Sequence, residues 1–358
     1  MKQVFFLVPR LYNPGGVSNY YSSLKPFLSK NITYLYRGKD GKINLIARML
    51  LDYFLFFKTV RHGNKNGVVL INHSLGAGGF LRDSIYSIIT PEAYSQIVFF
   101  RGWSTEFEKK INESWLLKKW LMFTFFKADQ IIVLASAFKE KLKEWGYKRS
   151  ITIETTLVDE QLLKGETFGS ISDYRSNLEA TQLLYLGNIS KAKGVWDIVK
   201  SLEFFTNNSF RTIELTIAGT GKELERLQQY SIDYNLNIRF TGFVRQERKA
   251  QVFRKAHLYV FPSSHGEGMP NSLLEAMAFG LPVITTRVGG IPDFFEDGKM
   301  GLFLENSDPE HIAEKIHYLI KRPGLMKQIS EYNYKYAMNH FYASKVARRL
   351  EKIIESVG

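Results

Sequence analysis

"LYVFPSSHGEGMPNSLLEAMAFGLPVITT", residues 258–286, reads as a strand, a loop, a helix and a second strand. "LYVF" is a short β-branched and aromatic run, and "LPVITT" (281–286) is another. Pro270 suits a first helical turn, where its missing N–H costs nothing. Apolar spacing then predicts helix to about Phe279, with Gly280 and Pro282 as the stop. Amides around Met269 to Leu273 are left unpaired at the start of that helix. Such a start carries roughly half a positive charge and seats phosphate well. Glu267 stands in the loop ahead of this seat, and Glu275 sits about five residues into the helix, ~7 Å further along its axis. A carboxylate is repelled by phosphate, so both acids suit hydroxyls flanking a phosphate group on either side. A nucleotide-sugar has that layout. On spacing alone the other reading stays open: a solvated Glu267 and a Glu275 that caps a neighbour.

The same strand–loop–helix unit recurs along the chain. "QVFFLV" (3–8), "GVVLINH" (67–73), "QIVFF" (96–100) and "QIIVLA" (130–135) alternate with longer amphipathic stretches, which predicts a parallel sheet covered by helices. The pattern restarts at "TQLLYLGNISKAKG" (181–194) and continues through "IELTIAG" (213–219) and "NIRFTGFV" (237–244). The fold class expected is therefore α/β, with two Rossmann-like domains facing across a cleft and offering loops at the carboxyl ends of their strands. We place an N-terminal domain at 1–163 and a C-terminal one at 181–335. The polar, Gly- and Ser-rich stretch between them, 164–180, is read as a linker. Residues 327–356 carry a long helical pattern, and 336–358 form a C-terminal helix able to pack back on the N-terminal domain.

The chain has 358 residues, 45% hydrophobic and 23% charged, which fits a globular protein and excludes disorder. It contains no cysteine, so disulfides, thiol catalysis and zinc–cysteine sites are excluded. Val4 to Val8 is too short for a signal-peptide core and reads as a first buried strand, and no stretch reaches the ~20 apolar residues of a membrane span. The formal net charge is +13, and all of it lies in residues 1–150, with 23 Lys and Arg against 10 Asp and Glu. That asymmetry suggests an anionic partner for the first half.

The motifs together resemble the retaining GT-B glycosyltransferases of the family-4 type (glycosyl transferases group 1). "HGEGMPNSLLEAMAFGLPVITTRVGGIPDFFEDGKMGLF" (265–303) is similar to their donor-binding region, with Glu267 and Glu275 as its Glu-x7-Glu pair. "NPGGVSNY" (13–20), "KADQIIVLASAFKEKLKEWG" (127–146), "LGNISKAKGVWDIV" (186–199), "IAGTGKELERL" (217–227) and "FTGFV" (240–244) follow in the family's order. The resemblance implies that the N-terminal domain binds acceptor and the C-terminal one nucleotide-sugar, with Glu267 on hydroxyls of the transferred sugar and Glu275 on the ribose hydroxyls. It implies that Lys193 takes the diphosphate, and that Gly268, Met269, Asn271, Ser272 and Leu273 hold sugar and distal phosphate through their amides. Gly15 and Gly16 would bring the N-terminal loop against the phosphates or the acceptor, and His265 would contact sugar or phosphate. The implied donor is a UDP- or GDP-linked sugar, with no further cofactor. No Asp-x-Asp motif occurs, so no metal clamp is expected and charge on the leaving diphosphate falls to Lys193, the helix start and backbone donors.

Some positions depart from the family pattern. Asn188 stands where an arginine usually pairs with the lysine on the diphosphate, and Lys191 is the available substitute. Arg101, in "FFRGW", replaces a histidine near the reacting sugar. Arginine cannot act as a base near neutral pH, so stabilising charge or binding the acceptor is its expected role. His257 replaces an aspartate as a packing detail. His73 faces the cleft by topology and is an alternative contact. "GTGKE" (219–223) fails the phosphate-loop pattern at Thr216 and Glu223, and "GAGG" (76–79) lacks dinucleotide-fingerprint spacing. Two rival readings remain: a degenerate glycosyltransferase-like binder of nucleotide-sugars, and a nucleic-acid-binding protein acting through its basic half. The second lacks a reader motif, so no nucleic acid is expected.

A glycan or polyprenyl-diphosphate-linked acceptor is the implied second substrate, in bacterial surface-polysaccharide or glycolipid assembly. "KINLIARMLLDYFLFFKTVRHGNK" (42–65) and "ESWLLKKWLMFTFFK" (113–127) mix Lys and Arg with Trp, Phe and Leu as interfacial helices do, or are core-facing helices with solvated lysines. The expected location is the cytoplasm, with peripheral contact to an anionic inner leaflet.

Overall fold

The computed structural model describes residues 2–357 except 14, 30, 39–43, 64–65, 206–211 and 265–267. The chain folds as two compact units. The first comprises residues 1–156 and 343–358 together with 266–269, and the second 157–265 and 270–342.

The sheet of the first unit contains β1 (Val4–Pro9), β2 (Ile32–Arg37), β3 (Val68–Leu75), β4 (Ser95–Trp103), β5 (Gln130–Val133) and β6 (Ser150–Ile153). Its order is β2-β1-β3-β4-β5-β6 and every pairing is parallel. Around it lie α1 (Gly16–Leu24), α2 (Leu45–Arg61), α3 (Ala77–Ile89), α4 (Thr105–Glu113), α5 (Trp115–Phe123) and α6 (Ser136–Glu144). A parallel sheet covered on its faces buries both sides of each strand, so its strands are apolar throughout rather than alternating. Phe5, Leu7, Val69, Ile71, Val98 and Ile131 accordingly share one fully buried cluster.

In the second unit, α7 (Phe168–Ser176) precedes β7 (Thr181–Leu186), α8 (Val195–Ser201), β8 (Ile213–Ala218), α9 (Leu224–Asp233), β9 (Ile238–Gly242), α10 (Gln246–Lys255) and β10 (Leu258–Phe261). Then come α11 (Asn271–Ala278), β11 (Val283–Thr286), β12 (Gly301–Leu304), α12 (Pro309–Ile320) and α13 (Pro323–His340), while α14 (Ala343–Val357) returns to the first unit. The strand order is β12-β11-β10-β7-β8-β9, again parallel throughout.

Two stretches differ from the sequence reading. Residues 164–180, read as a linker, contain α7. Thr167 and Ser170 cap it reciprocally, and its buried Arg175 donates to the carbonyls of Phe253, Arg254 and Phe279 at 2.8–3.1 Å. Polarity there reflects capping and a buried cation tied to the second unit. The long C-terminal pattern is two helices, because the chain between α13 and α14 pairs elsewhere. The Val158 amide donates to Phe341 O at 2.8 Å, and Val158 bridges Tyr342. After that break α14 buries Val346, Leu350 and Ile354, and Arg349 grips the buried Glu154 through two nitrogens at 2.6–3.1 Å.

Candidate functional site

The winding of the second sheet reverses at β7. The chain moves outward through β8 and β9, then returns to β10 on the other side and moves out through β11 and β12. Loops leaving β7 and β10 start there, beyond the strand carboxyl ends, at the switch point where open α/β sheets bind ligands.

Three loops close on each other at that point. The Ser264 amide donates to Ala192 O (3.0 Å), and the Ile189 amide to Thr220 O (2.9 Å). Gly194 has φ +70°, and a Cβ there would collide with the carbonyl of Pro262. Gly219, at φ +147°, lies equally close to the carbonyl of Gly187. Only glycine permits these approaches. The sequence reading weighed Gly219 only within a failed phosphate-loop pattern and gave Gly194 no role; the place of Gly219 directly after β8 was the available signal.

Lys193 ends a 3-10 turn (Lys191–Lys193) in the loop after β7, its ammonium 6.0 Å from the centre of the Phe261 ring. Burial pulls its pKa down to about 8. Asn188 is exposed and its carbonyl accepts from the Tyr185 hydroxyl at 2.7 Å, while Lys191 is also exposed. One half-buried cation therefore stands in this loop, with a second at its rim.

Helix α11 starts beside β10 with no side-chain cap on its first turn. Leu273, expected to offer a free amide, instead donates to Pro270 O (3.2 Å), as does Leu274 (3.4 Å). The Asn271 and Ser272 amides of that turn donate to no backbone carbonyl among the described residues. The Ser272 hydroxyl is held by Tyr259, whose oxygen lies 2.7 Å from Ser272 Oγ and 3.1 Å from Leu186 O. Tyr259 thus ties β10 to the end of β7 and to the helix start, a role its place in an apolar strand concealed.

Glu275 is buried on α11, and Lys249 of α10 sets its ammonium 2.5 Å from Oε1. Oε2 is buried without a partner among the described residues. Desolvation pushes the carboxyl pKa up, and the neighbouring ammonium opposes it. Lys249 was not anticipated, because an ion pair between two helices leaves no periodic trace in sequence.

Glu267 and His265 lie outside the described residues. Gly268 and Met269 pack with the first unit, whereas Asn271, Ser272 and Leu273 belong to the second. Met269 is buried, and its carbonyl faces the Thr156 hydroxyl at 3.3 Å.

In the first unit Gly16 opens α1 and Gly15 is its extended N-cap. Arg101, near the carboxyl end of β4, stacks its guanidinium 3.6 Å from the centre of the Tyr20 ring and 4.5 Å from that of Phe99. Its Nε and Nη1 are buried without a hydrogen-bond partner among the described residues. His73 is a core residue and not a cleft contact. It is buried, stacked on Phe125, and its Nδ1 lies 3.0 Å from Asp83, which also pairs with Arg37. Burial drives its pKa down. His257 is a packing residue, as expected: its Nδ1 accepts from the Gln182 amide, so Nε2 donates to Arg175 O.

Residues 170–336 match the family model described as Glycosyl transferases group 1. That segment belongs to the group 1 glycosyl transferases. Apart from 266–269 the matched segment lies within the second unit, and it holds Asn188, Lys193, Lys249, Tyr259 and Glu275. An uncharacterized glycosyltransferase of Methanocaldococcus jannaschii, MJ1069, is 28% identical over 233 residues, 64% of this chain. The chain spans 59% of that relative's length. The capsular polysaccharide biosynthesis glycosyltransferase CapM of Staphylococcus aureus is 26% identical over 337 residues, covering 88% of this chain and 85% of CapM. Among solved structures, Anabaena HepE in complex with UDP and glucose superposes with a TM-score of 0.73 at 14% identity, over 99% of this chain and 100% of HepE. At that identity the likeness shows the fold, which is the α/β GT-B class expected from the sequence.

Proposed function

We propose that the chain is a metal-independent, retaining glycosyltransferase that moves a sugar from a nucleotide-sugar to a glycan or lipid-linked acceptor in surface-polysaccharide or glycolipid assembly. The observation that carries this reading is the switch point at the β7–β10 reversal, with Lys193 in the loop after β7 and the buried Glu275 on the helix after β10. The matched family segment and the capsular relative CapM support it.

Lys193 would neutralise the diphosphate, and the start of α11, with the Ser272 amide, would add a second donor set. Glu275 would accept from the ribose hydroxyls, its charge preserved by Lys249. Glu267 is assigned to hydroxyls of the transferred sugar. As the bond from the anomeric carbon to the diphosphate breaks, negative charge grows on the leaving group. A fixed ammonium about 4 Å away contributes on the order of 4 kcal/mol in a partly shielded site, a useful share of the ~8 kcal/mol or more that enzymes supply. Arg101 would stabilise charge or bind the acceptor, since a guanidinium cannot serve as a base.

A thermal-shift screen of UDP-, GDP- and ADP-sugars in the presence of a chelator, on wild type and Glu275→Ala, tests the proposal. A raised Tm with a UDP- or GDP-sugar that Glu275→Ala abolishes is the expected result, followed by sugar transfer or donor hydrolysis. No stabilisation by any nucleotide-sugar removes the donor assignment. Stabilisation without turnover would assign the chain to binding alone, through Asn188 and Arg101.

A further inference from the structure

One face of the first unit turns large apolar side chains to water. On α2 one ion pair points inward: Arg48 and Asp52 are buried 2.8 Å apart, and Asp52 also accepts from the Gly38 amide at 2.9 Å. Phe56 and Val60 share that buried stripe, while a second apolar set points outward, with Leu50 64% and Phe54 60% exposed, and Ile46 and Leu55 alongside them. Water selects the opposite arrangement, because buried ions lose hydration and exposed leucine or phenylalanine gains nothing.

The face continues onto two more helices. Tyr53 of α2 packs on Tyr86 of α3 at 4.7 Å and donates to Arg82 O at 3.0 Å. Trp120 of α5 donates to Ser84 of α3, also at 3.0 Å. On this shared support α3 exposes Leu81, and α5 exposes Trp115 (63%), Leu116 (68%), Met122 and Phe123.

Charge supplies an independent observation. The only acids on α2 and α3, Asp52 and Asp83, are buried against arginines, and α5 has none; the nearest exposed acid along the chain, Glu113, lies just before α5. The exposed bases sit beside exposed rings: Arg61 over Phe57 (5.6 Å), Lys119 over Trp115 (4.1 Å) and Lys127 over Phe123 (4.4 Å). Cations at the rim of an apolar surface match the few ångströms where lipid phosphates meet acyl chains. A second copy of the same all-basic face would meet like charge instead. No helix among the described residues is long and apolar enough to cross a membrane, so the fit is to a surface and not to a span.

We propose that the α2–α3–α5 face docks on an anionic lipid surface. The proposal stands apart from the sugar-transfer reading, since its test reads partition and not activity. The purified full chain is mixed with phosphatidylcholine vesicles with and without phosphatidylglycerol, at low and high salt, and bound protein is measured by sedimentation. Binding is expected with phosphatidylglycerol, weakening with salt. The double variant Leu50→Glu/Phe54→Glu should bind at least about tenfold less, and Lys119→Glu/Lys127→Glu should lose the salt-sensitive part. Ile232→Glu, at a solitary exposed residue of α9, should bind as wild type does. Because these side chains are exposed, unchanged circular dichroism and Tm confirm folding. Absence of binding at low salt, or equal binding by Leu50→Glu/Phe54→Glu, overturns the proposal. A concentration-dependent dimer that this variant abolishes, with no vesicle binding, also overturns it and makes the face an interface between copies.

Discussion

Lys249 holds its ammonium 2.5 Å from one oxygen of the buried Glu275, and the other oxygen is buried without a partner among the described residues. Desolvation favours the neutral acid and raises the carboxyl pKa, and the lysine opposes that rise in a place that disfavours charge. A carboxylate accepts from two ribose hydroxyls, whereas the protonated acid loses part of that capacity.

Lys249→Met therefore raises the Glu275 pKa further and creates a pH dependence of nucleotide binding. Affinity should fall as pH drops below neutrality and recover as pH rises and the carboxyl ionises. Titration calorimetry with the bound nucleotide between pH 5.5 and 8 reads this. A Lys249→Met profile that parallels wild type would remove the role given to the lysine.

Lys193 predicts the opposite trend at the alkaline side. Its pKa of about 8 in the free protein rises when a diphosphate arrives, so binding takes up a proton within that window. Affinity should be greatest below pH 8 and fall as pH rises through it, by at most about tenfold per pH unit. Lys193→Met should flatten the slope and weaken binding at pH 7 by roughly tenfold or more. Proton uptake is checked by calorimetry in buffers of different ionisation enthalpy.

Gly194→Ala places a Cβ against the Pro262 carbonyl in a left-handed backbone. The conformational cost alone is about 1–2 kcal/mol, and the collision adds to it. Urea unfolding should show a loss of at least ~2 kcal/mol, with nucleotide binding impaired because the two loop walls separate.

Arg349→Ala strips the bidentate partner from Glu154, which is buried. Breaking a buried pair costs ~3–5 kcal/mol. Arg349 is about a third exposed, so a loss of about 2–3 kcal/mol is expected. Arg349→Ala/Glu154→Gln should recover part of it, measured by the same unfolding curves.

Much of the fold is legible in the sequence because parallel strands buried on both faces leave continuous apolar runs, such as "VFFLV" and "VVLIN". Helix α11 announces itself through Pro270 and Gly280, and Glu275 through an acid in an apolar run. What stays hidden is pairwise and distant. Lys249 reads as one more surface lysine until α10 packs against α11, and Tyr259 as core until its hydroxyl meets Leu186 and Ser272. Arg48 and Asp52 look like the polar face of α2, and only burial shows that this pair faces the core beside Phe56 and Val60. The capped helix in 168–176 is masked by its polarity, since capping and linker residues are the same types.

Helix α14 has a consequence for the order in which the molecule can be made. Its residues Val346, Leu350 and Ile354 complete the core of the first unit, yet in synthesis they follow the entire second unit. A nascent chain emerging from the ribosome can finish the second unit while the first still exposes the surface that α14 will cover. The first unit is the earliest to begin and the last to close, and it is the half most exposed to chaperones and proteases until the final turn of helix arrives.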